Sequence, residues 1–330
     1  MMVRARARAQ INIALVKYWG KRDTSLNLPE AGSLSLTLDG LGTTTTVVFD
    51  DDAPRDTLTI NEEAQQGSAL TKATRVLDAL RERAGLRSHA TITSHNSVPT
   101  SAGLASSASG LAALTQAAAV AAGLNLSREA LSATARLGSG SACRSLFGGF
   151  AEWSPGKHAD GHDSHAHELF GPDHWDLHVL VAILARGPKS ISSTEGMEHT
   201  RRTSPFHAGF IATVSQDLQE AKAAIAARDL MSLAPVAERS CLRMHADMLA
   251  ADPPLCYLQP ASWAIIHRVQ TLRKEGVQAF FSADAGPNVK VFCTPEEVPM
   301  LHAELEAMPG VKEIIICRPG HGAEVLDPIP

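Results

Sequence analysis

The first part of the chain alternates polar and apolar residues with the period of two that is typical of β-strands. Residues 3–16 alternate Arg or Gln with small or apolar side chains, 33–39 repeat this pattern, and 43–49 are rich in β-branched residues. Apolar residues then recur at helical spacing over 68–84, where Gly85 is a typical helix stop. The pattern predicts a group of strands followed by a helix.

The rest of the chain changes from short strands to long amphipathic helices. Strands are predicted at 89–94, 148–153, 177–185, 277–282, 289–293 and 313–317, and helices at 103–123, 127–137, 205–228, 229–250, 261–274 and 295–308. Toward the C-terminus, the order helix, strand, turn, strand, helix, strand is that of a split βαβ unit. We therefore expect an α+β protein with an N-terminal domain over 1–190 and a C-terminal domain over 191–330.

Composition and charge narrow the possible partners. The 330 residues are 44% hydrophobic and 20% charged, as in globular proteins, and the formal net charge of −5 argues against nucleic acid or an anionic membrane. The longest weakly apolar stretch, 104–124, is mainly Ala and Ser, which indicates a buried helix rather than a membrane span. The five cysteines form no C-x-x-C pair, which favours reduced thiols in the cytoplasm.

A segment of small residues at the start of the predicted helix 103–123 is a candidate for phosphate binding. Gly103, Leu104, Ala105, Ser106 and Ser107 lie where a polar loop runs into this helix. Small residues let the free N–H groups and the dipole of a helix start approach an anion. No Gly-Lys-Ser/Thr occurs here, so this is not a P-loop. Tight helix packing is the alternative explanation.

A cationic segment follows the first predicted strand. Lys17, Lys21 and Arg22 are interleaved with Tyr18 and Trp19. Cations near the end of a strand can clamp a phosphorylated substrate. The alternative is an amphipathic edge whose lysines are solvated.

A turn rich in glycine and serine spans 138–145 and contains Cys143 and Arg144. Such a turn can form an anion-binding nest, in which an arginine holds a carboxylate or phosphate through two hydrogen bonds. We do not assign Cys143 as a nucleophile, because no histidine lies nearby in the sequence and burial is expected.

Asp284 lies in a predicted tight turn over 282–288, between two apolar strands. An aspartate in a turn often bonds only its own backbone. If the turn faces bound phosphates, Asp284 is instead a base or an orienting group for a substrate hydroxyl. Both explanations stay open on these residues alone.

Residues 155–178 are unusually rich in histidine among Asp and Gly. Histidine-rich tracts can bind metal ions. The spacing here is irregular and the tract contains no cysteine, so we expect a solvated insertion between two strands and no metal site.

These four candidate segments, in this order, resemble the GHMP superfamily of small-molecule kinases and, within it, the mevalonate diphosphate decarboxylase family. The resemblance is carried by N-I-A-L-V-K-Y-W-G-K at 12–21, by 99–110, by G-S-G-S-A-C-R-S-L-F-G-G-F-A-E-W at 138–153 and by D-A-G-P-N at 284–288. The strings K-S-I-S-S-T-E-G-M at 189–197 and M-H-A at 244–246 are also similar to family segments. The resemblance implies a two-domain GHMP-kinase-like fold with a ferredoxin-like C-terminal half and an active site in the interdomain cleft.

The resemblance also implies roles for individual residues. ATP phosphates, with Mg²⁺, are expected at Gly103–Ser107. Asp284 is expected to act on the C3 hydroxyl of the substrate with Lys17 close to it, and Arg144 to position the substrate carboxylate. A homodimer is the expected assembly. The expected contacts of phosphorylated mevalonate are Tyr18, Trp19, Gly20, Lys21, Ser139, Gly140, Ser141, Ala142, Cys143, Arg144 and Thr194.

The implied reaction transfers the γ-phosphoryl group of ATP to the C3 hydroxyl of 5-diphosphomevalonate, after which phosphate and CO₂ leave and isopentenyl diphosphate remains. One alternative is decarboxylation of 5-phosphomevalonate, and another is a mevalonate or phosphomevalonate kinase. The joint presence of Lys17, Arg144 and Asp284 favours the decarboxylase. A non-catalytic metal-binding or interaction protein that uses the histidine-rich tract is the alternative from a different class.

Two segments depart from the family pattern. The tract 155–178 has no counterpart in it, and His321 stands in a glycine-rich loop where a less bulky residue is expected. Neither segment includes a residue of the four candidate motifs.

Overall fold

The computed structural model describes residues 3–97, 106–185 and 191–329. In these ranges the chain forms two large β-sheets and a short hairpin packed with helices, so the predicted α+β class is confirmed. The strands are β1 (Val3–Val16), β2 (Lys21–Asp23), β3 (Leu28–Pro29), β4 (Ser33–Asp50), β5 (Thr57–Ile60), β6 (Glu63–Gln65), β7 (His89–Asn96), β8 (Phe150–Trp153), β9 (Ala166–Phe170), β10 (His178–Ile183), β11 (Ala279–Ala283), β12 (Val289–Cys293), β13 (Glu313–Cys317) and β14 (Glu324–Ile329). The helices are α1 (Ser68–Ala84), α2 (Ser106–Ala121), α3 (Arg128–Gly138), α4 (Ser193–Thr203), α5 (His207–Ala227), α6 (Leu230–Leu249), α7 (Pro260–Lys274) and α8 (Val298–Glu306).

The first sheet has the strand order β14-β1-β4-β7-β5-β6, and β8 and β9 extend it beside the first half of β4. β4 is one strand of 18 residues, although the pattern predicted separate strands at 33–39 and 43–49. Gly40, with φ at 80°, lets the chain turn locally without ending the strand. The C-terminal strand β14, which the pattern did not predict, returns to pair with β1.

A register shift in β1 decides which side chains face the cleft between the sheets. The pairing of β1 with β4 shifts between Gln10 and Asn12. Ala7 and Ala9 pack in the core beside α1, α2 and α3, whereas Ile11, at the same parity, packs in the core between the two sheets. Residues 38–41 of β4 lie opposite Ile11 alone, and at this irregularity the face of β1 that meets the helices changes. Asn12 is therefore turned toward the helical layer, where a turn of the candidate site lies.

The second sheet has the antiparallel order β11-β12-β10-β13. Helices α4 to α7 connect β10 to β11, and α8 connects β12 to β13, which is the ferredoxin-like arrangement predicted for this half. In β10, Val179 and Val181 face the core shared with the first sheet, whereas Leu180 and Ala182 face α7 and α8. Because helices or the first sheet cover both faces, this strand is apolar throughout.

The chain passes between the two sheets ahead of the predicted domain boundary. Strand β10, which precedes residue 190, pairs with β12 and β13 of the second sheet. After β13 the chain returns to the first sheet through β14. The division into 1–190 and 191–330 stays a prediction.

The histidine-rich tract 155–178 is more ordered than a solvated insertion. It contains β9, which pairs with β8 at the margin of the first sheet, because β8 offers an edge whose backbone groups need partners. Within the described ranges, no group of three or more His, Cys, Asp or Glu side chains is placed to hold a metal ion. No helix among the described residues is both long and apolar enough to cross a membrane.

A buried charged cluster ties the β2–β3 hairpin to the helices of the C-terminal half. His207, the first residue of α5, has Nδ1 2.8 Å from Asp247 Oδ2 on α6 and Nε2 2.6 Å from Glu30 Oε2 beside the hairpin. Burial alone would lower the pKa of His207, but hydrogen bonds to the two carboxylates raise it. The hairpin begins at Lys21, a predicted site residue, so the cluster helps to fix the position of Lys21.

The His207 cluster gives a stability prediction. His207→Gln leaves Asp247 buried without a cationic partner, and we expect the free energy of unfolding to fall by about 3 kcal/mol. Because the folded-state pKa of His207 is raised, its stabilisation is complete below the unfolded value of about 6.5 and is lost as the pH rises through the folded value. In urea unfolding, the difference between wild type and variant should therefore be larger at about pH 6 than at about pH 9.

The exposed histidine of α7 supplies the control, His267→Gln, which should leave stability unchanged at both pH values. Equal losses for His207→Gln at the two pH values would contradict a charged His207.

Candidate active site

A cavity of about 940 Å³ lies between the two halves of the molecule. Its wall is formed by the residues after β1, the β2–β3 hairpin, α1, the first turns of α2 and α4, the 3₁₀ segment Gly140–Leu146 and the turn between β11 and β12. Side chains from all four candidate motifs meet here, as an interdomain active site requires. The predicted residues on the wall are Lys17, Tyr18, Trp19, Lys21, Ser107, Ser139, Gly140, Ser141, Arg144, Thr194 and Asp284.

Three of the residues expected to contact phosphorylated mevalonate do not line the cavity. Ala142 and Cys143 are fully buried in the core of the first sheet and its helices, because the tight 3₁₀ turn directs them inward. Burial raises the pKa of the Cys143 thiol to about 12, so it has no nucleophilic thiolate near neutral pH. Gly20 packs instead against Glu30 and His207. These positions do not support contact of Gly20, Ala142 or Cys143 with a substrate.

The turn between β11 and β12 presents a carboxylate held between two lysines. Lys17 Nζ lies 2.7 Å from Asp284 Oδ1, and Lys290 Nζ lies 3.0 Å from Oδ2. Both lysine side chains are buried, whereas Asp284 is about one third exposed, toward the cavity. Burial alone would raise the pKa of Asp284, but the two ammonium groups hold it well below its usual range. Asp284 is therefore an ionised acceptor at the cavity wall.

Helix α6 fixes the two elements that meet at this carboxylate. The backbone N–H of Lys17 donates to Ser240 Oγ at 3.0 Å, and that of Ala283 donates to Cys241 Sγ at 3.2 Å. Both α6 side chains are fully buried. Neighbouring residues of one helix thus hold the chain after β1 and the chain before Asp284, which belong to different sheets.

Arg144 is almost fully buried with its charge unpaired by any described carboxylate. Its Nε donates to Asn12 Oδ1 at 3.2 Å and Ser35 Oγ at 3.0 Å, and its Nη1 donates to Ser33 Oγ at 2.7 Å. The guanidinium carbon lies 5.9 Å from the centre of the Trp153 ring. Burial lowers the pKa of Arg144. Neutral partners hold the group in one orientation, while its charge stays available to an anion in the cavity.

The 3₁₀ segment approaches Tyr18 at a distance that only glycine allows. A Cβ on Gly140 would lie 2.8 Å from both the Tyr18 hydroxyl and the Trp153 ring. The Tyr18 hydroxyl is buried and has no hydrogen-bond partner among the described residues. Because buried hydroxyls are normally bonded, this orphan group on the cavity wall fits a polar ligand.

A second part of the cavity wall concentrates positive charge. Lys21 Nζ donates to Asn27 Oδ1 at 2.7 Å and to Thr194 Oγ1 at 3.4 Å, while Lys72 and Arg75 of α1 line the same cavity and repel its charge. Burial, together with repulsion from Lys72 and Arg75, lowers the pKa of Lys21 to about 8. Three cations with few counter-charges form a site for a multiply charged anion.

The wall beside α2 fits a nucleotide phosphate. Ser107 lies in the first turn of α2 and lines the cavity, where free N–H groups favour anions. Gly103, Leu104, Ala105 and the side chain of Ser106 lie outside the described residues, so their binding of ATP stays a prediction.

Two family models cover most of the chain. The Diphosphomevalonate decarboxylase-like N-terminal domain matches residues 9–166, and the Mevalonate 5-diphosphate decarboxylase C-terminal domain matches residues 179–325. The chain belongs to the mevalonate diphosphate decarboxylase family. The resemblance carried by the four sequence motifs is therefore confirmed.

Individual family members agree with this assignment. The diphosphomevalonate decarboxylase of Ganoderma lucidum is 40% identical over 89% of this chain and 78% of its own length. The crystal structure of mevalonate diphosphate decarboxylase from Staphylococcus aureus has a TM-score of 0.93 at 39% identity, with 99% of both chains covered. The structure of MDDEF in complex with MVAPP, AMPPCP and magnesium has a TM-score of 0.92 at 40% identity, covering 99% of this chain and 100% of the other.

These matches confirm the two-domain GHMP-kinase-like fold and the use of ATP and Mg²⁺ by the family. They also favour a decarboxylase of the diphosphate over the kinase and monophosphate alternatives. The fold places the cavity where the family resemblance predicted an active site.

Lys72, Arg75 and Lys290 line the cavity but were missed from the sequence. Lys72 and Arg75 are three residues apart on one face of α1. From the sequence alone, this spacing indicates only an ordinary solvent-exposed helix face. Lys290 could have been found from the sequence, because it is a single lysine within the otherwise apolar strand Val289–Cys293.

The lowered pKa of Lys21 predicts that substrate capture weakens as the pH rises through about 8. Lys21 is charged below this value and neutral above it, so its attraction for an anionic substrate falls on the alkaline side. We expect kcat/KM for the phosphorylated substrate to fall there in the wild type and to stay level in Lys21→Arg, whose guanidinium remains charged. The exposed Lys274→Arg on α7 is the control. The same alkaline fall in Lys21→Arg would rule out Lys21 as its origin.

Proposed function

We propose that this cavity decarboxylates (R)-5-diphosphomevalonate with ATP, giving isopentenyl diphosphate, CO₂, ADP and phosphate. The observation that carries the proposal is the Asp284 carboxylate, 2.7 Å from Lys17 and 3.0 Å from Lys290, in the same cavity as Arg144 and Lys21. This arrangement combines an acceptor for a hydroxyl with two groups of cations that can bind anionic groups, all on the wall of one cavity. A substrate with a carboxylate at one end, a diphosphate at the other and a hydroxyl between them matches it.

The diphosphate is assigned to the part of the cavity wall that Lys21, Lys72 and Arg75 form. Their combined charge suits a diphosphate better than a monophosphate, because each cation can neutralise one negative oxygen. The Thr194 hydroxyl, 3.4 Å from Lys21 Nζ, is placed to donate to the same phosphate oxygens. This charge count supports the diphosphate as the substrate.

Arg144 is assigned to the substrate carboxylate. Its neutral partners Asn12, Ser33 and Ser35 fix the plane of the guanidinium. A carboxylate bound to this guanidinium therefore has one orientation, and so does the C–CO₂ bond that breaks. The carboxylate loses its charge as CO₂ leaves, so a stronger grip on the ground state would oppose the reaction. The role of Arg144 is therefore to orient the substrate.

Asp284 is assigned to the C3 hydroxyl, which donates a hydrogen bond to its cavity-facing carboxylate. Bound ATP with Mg²⁺ supplies the phosphoryl group that turns the C3 oxygen into a leaving group. Because Lys17 and Lys290 hold the pKa of Asp284 well below its usual range, this carboxylate is a weak base. Its main contribution is to align the hydroxyl oxygen for phosphoryl transfer, which depends chiefly on positioning and charge. Asp284 takes the hydroxyl proton late, as the new P–O bond forms and the bond to ADP breaks, and then releases it to solvent.

The second half of the reaction is an elimination. Phosphate leaves C3 with the electron pair of the C–O bond, and the electron pair of the C–CO₂ bond becomes the new double bond. Arg144 keeps the departing carboxylate aligned while Lys17 supplies positive charge near C3. No further proton donor is needed for this step.

The experiment that tests the function offers the protein ATP, Mg²⁺ and either 5-phosphomevalonate or 5-diphosphomevalonate, with ADP and CO₂ measured together. We expect equal amounts of ADP and CO₂ from the diphosphate, and much slower turnover of the monophosphate. ADP without CO₂ would show a kinase. Preference for the monophosphate would move the assignment to the alternative decarboxylase.

Asp284→Asn tests the assigned acceptor. The amide keeps the size of the side chain but loses the charge that Lys17 and Lys290 hold in place, and we expect kcat to fall by about three orders of magnitude. ADP and CO₂ should fall together, because phosphorylation precedes decarboxylation. The exposed Asp173→Asn is the matched control. Accumulation of a 3-phosphorylated substrate in Asp284→Asn would place the residue after phosphoryl transfer instead.

A homodimer in the cytoplasm is proposed as the working state of the enzyme. The five cysteines are all free thiols, four of them buried, which supports a reducing compartment. Sedimentation at micromolar concentration distinguishes the dimer from a monomer.

A further inference from the structure

Lys290 is a buried lysine to which neither the motifs nor the family assignment gives a role. It lies in β12 between Val289 and Val291, and its side chain is 5% exposed. A buried ammonium group is costly unless it is paired. Its described partners are Asp284 Oδ2 at 3.0 Å and the backbone carbonyl oxygen of Asn288 at 3.3 Å. Both partners belong to the turn that presents the proposed acceptor.

We propose that Lys290 is a positioning residue for the reaction, holding the Asp284 carboxylate toward the cavity from the side opposite to Lys17. Each carboxylate oxygen accepts a hydrogen bond from one ammonium group, Oδ1 from that of Lys17 and Oδ2 from that of Lys290. The inference rests on the function proposed above, in which Asp284 faces the C3 hydroxyl. Lys290 is the residue that orients the Asp284 carboxylate toward this hydroxyl.

The two lysines act from different parts of the fold. Lys290 and Asp284 lie on one hairpin, in which Ser282 pairs with Lys290, so their contact depends only on the local strand register. Lys17 follows β1 of the first sheet, so its contact depends on how the two sheets pack. Asp284 is about one third exposed, so with Lys290 removed its carboxylate can turn about the Cα–Cβ bond toward Lys17. The ion pair with Lys290 therefore prevents this rotation.

The other groups near Asp284 cannot replace the ion pair with Lys290. Arg144 acts on Asp284 at longer range, and its hydrogen bonds go to other residues. On α6, burial raises the pKa of the Cys241 thiol, which stays neutral, and burial lowers the pKa of His245 to about 4, so neither side chain supplies a positive charge to Asp284 near neutral pH. Loss of the Lys290 charge should thus disturb the geometry of the acceptor more than the binding of anions.

The test compares Lys290→Gln with Lys290→Arg, using the exposed Lys274→Gln as the control for loss of a lysine charge. Gln keeps a donor but loses the charge, whereas Arg keeps the charge. For Lys290→Gln we expect kcat to fall about ten- to a hundredfold, because a small misplacement of a reacting group costs this much. KM for ATP and for 5-diphosphomevalonate should change less than about threefold. Lys290→Arg should recover most of the lost kcat.

A second comparison separates positioning from general loss of structure. In the Asp284→Asn background, Lys290→Gln should cost less than about a further twofold in kcat, because the group it positions is gone. If thermal unfolding shows that Lys290→Gln is not folded, Lys290→Met is used in the same comparison.

Wild-type kcat in Lys290→Gln, or the same fold-loss in both backgrounds, would overturn the proposal. Neither result would touch the proposed function, which the wild-type production of ADP and CO₂ tests separately.

Discussion

The rest of the site depends on one electrostatic arrangement, a carboxylate held between two buried ammonium groups. Lys17 and Lys290 each take one oxygen of Asp284, and the three side chains come from different strands or their ends. A buried lysine is unfavourable without its partner, so the carboxylate stabilises both lysines as much as they stabilise its ionised form. The same contact that joins the two sheets therefore also creates the acceptor for the substrate hydroxyl.

The fold supplies this arrangement through local irregularities as well as regular elements. The register shift at Gln10–Asn12 turns Asn12 toward Arg144, and the first sheet then delivers Lys17 at the end of β1. Helix α6 binds the backbone at Lys17 and at Ala283 through neighbouring side chains, so the distance between the two sheets is fixed where the chemistry occurs. Rigid placement of this kind is what phosphoryl transfer requires, because the protein contributes position and charge rather than covalent chemistry.

Sequence reasoning found the residues that lie in contiguous motifs and missed those that tertiary packing brings to them. Lys17, Arg144 and Asp284 were predicted, and the cavity contains all three. Ala142 and Cys143 were included only because they lie within the motif, and the 3₁₀ turn directs them into the core. Lys72 and Arg75 could not be distinguished from solvated helix residues without knowing which face of α1 borders the cleft. Strand β14 was missed because its pairing with β1 joins the two ends of the chain.

The central claim is that Asp284 stays ionised between two lysines, and carboxyl ¹³C NMR of aspartate-labelled protein measures this directly. The Asp284 resonance is assigned by its loss in Asp284→Asn. We expect its chemical shift to remain at the ionised position down to about pH 4, where exposed aspartates, whose pKa is about 3.9, are already titrating. A titration midpoint for Asp284 at or above about pH 4 would contradict the account, because the carboxylate would then be a normal acid without the two ammonium partners.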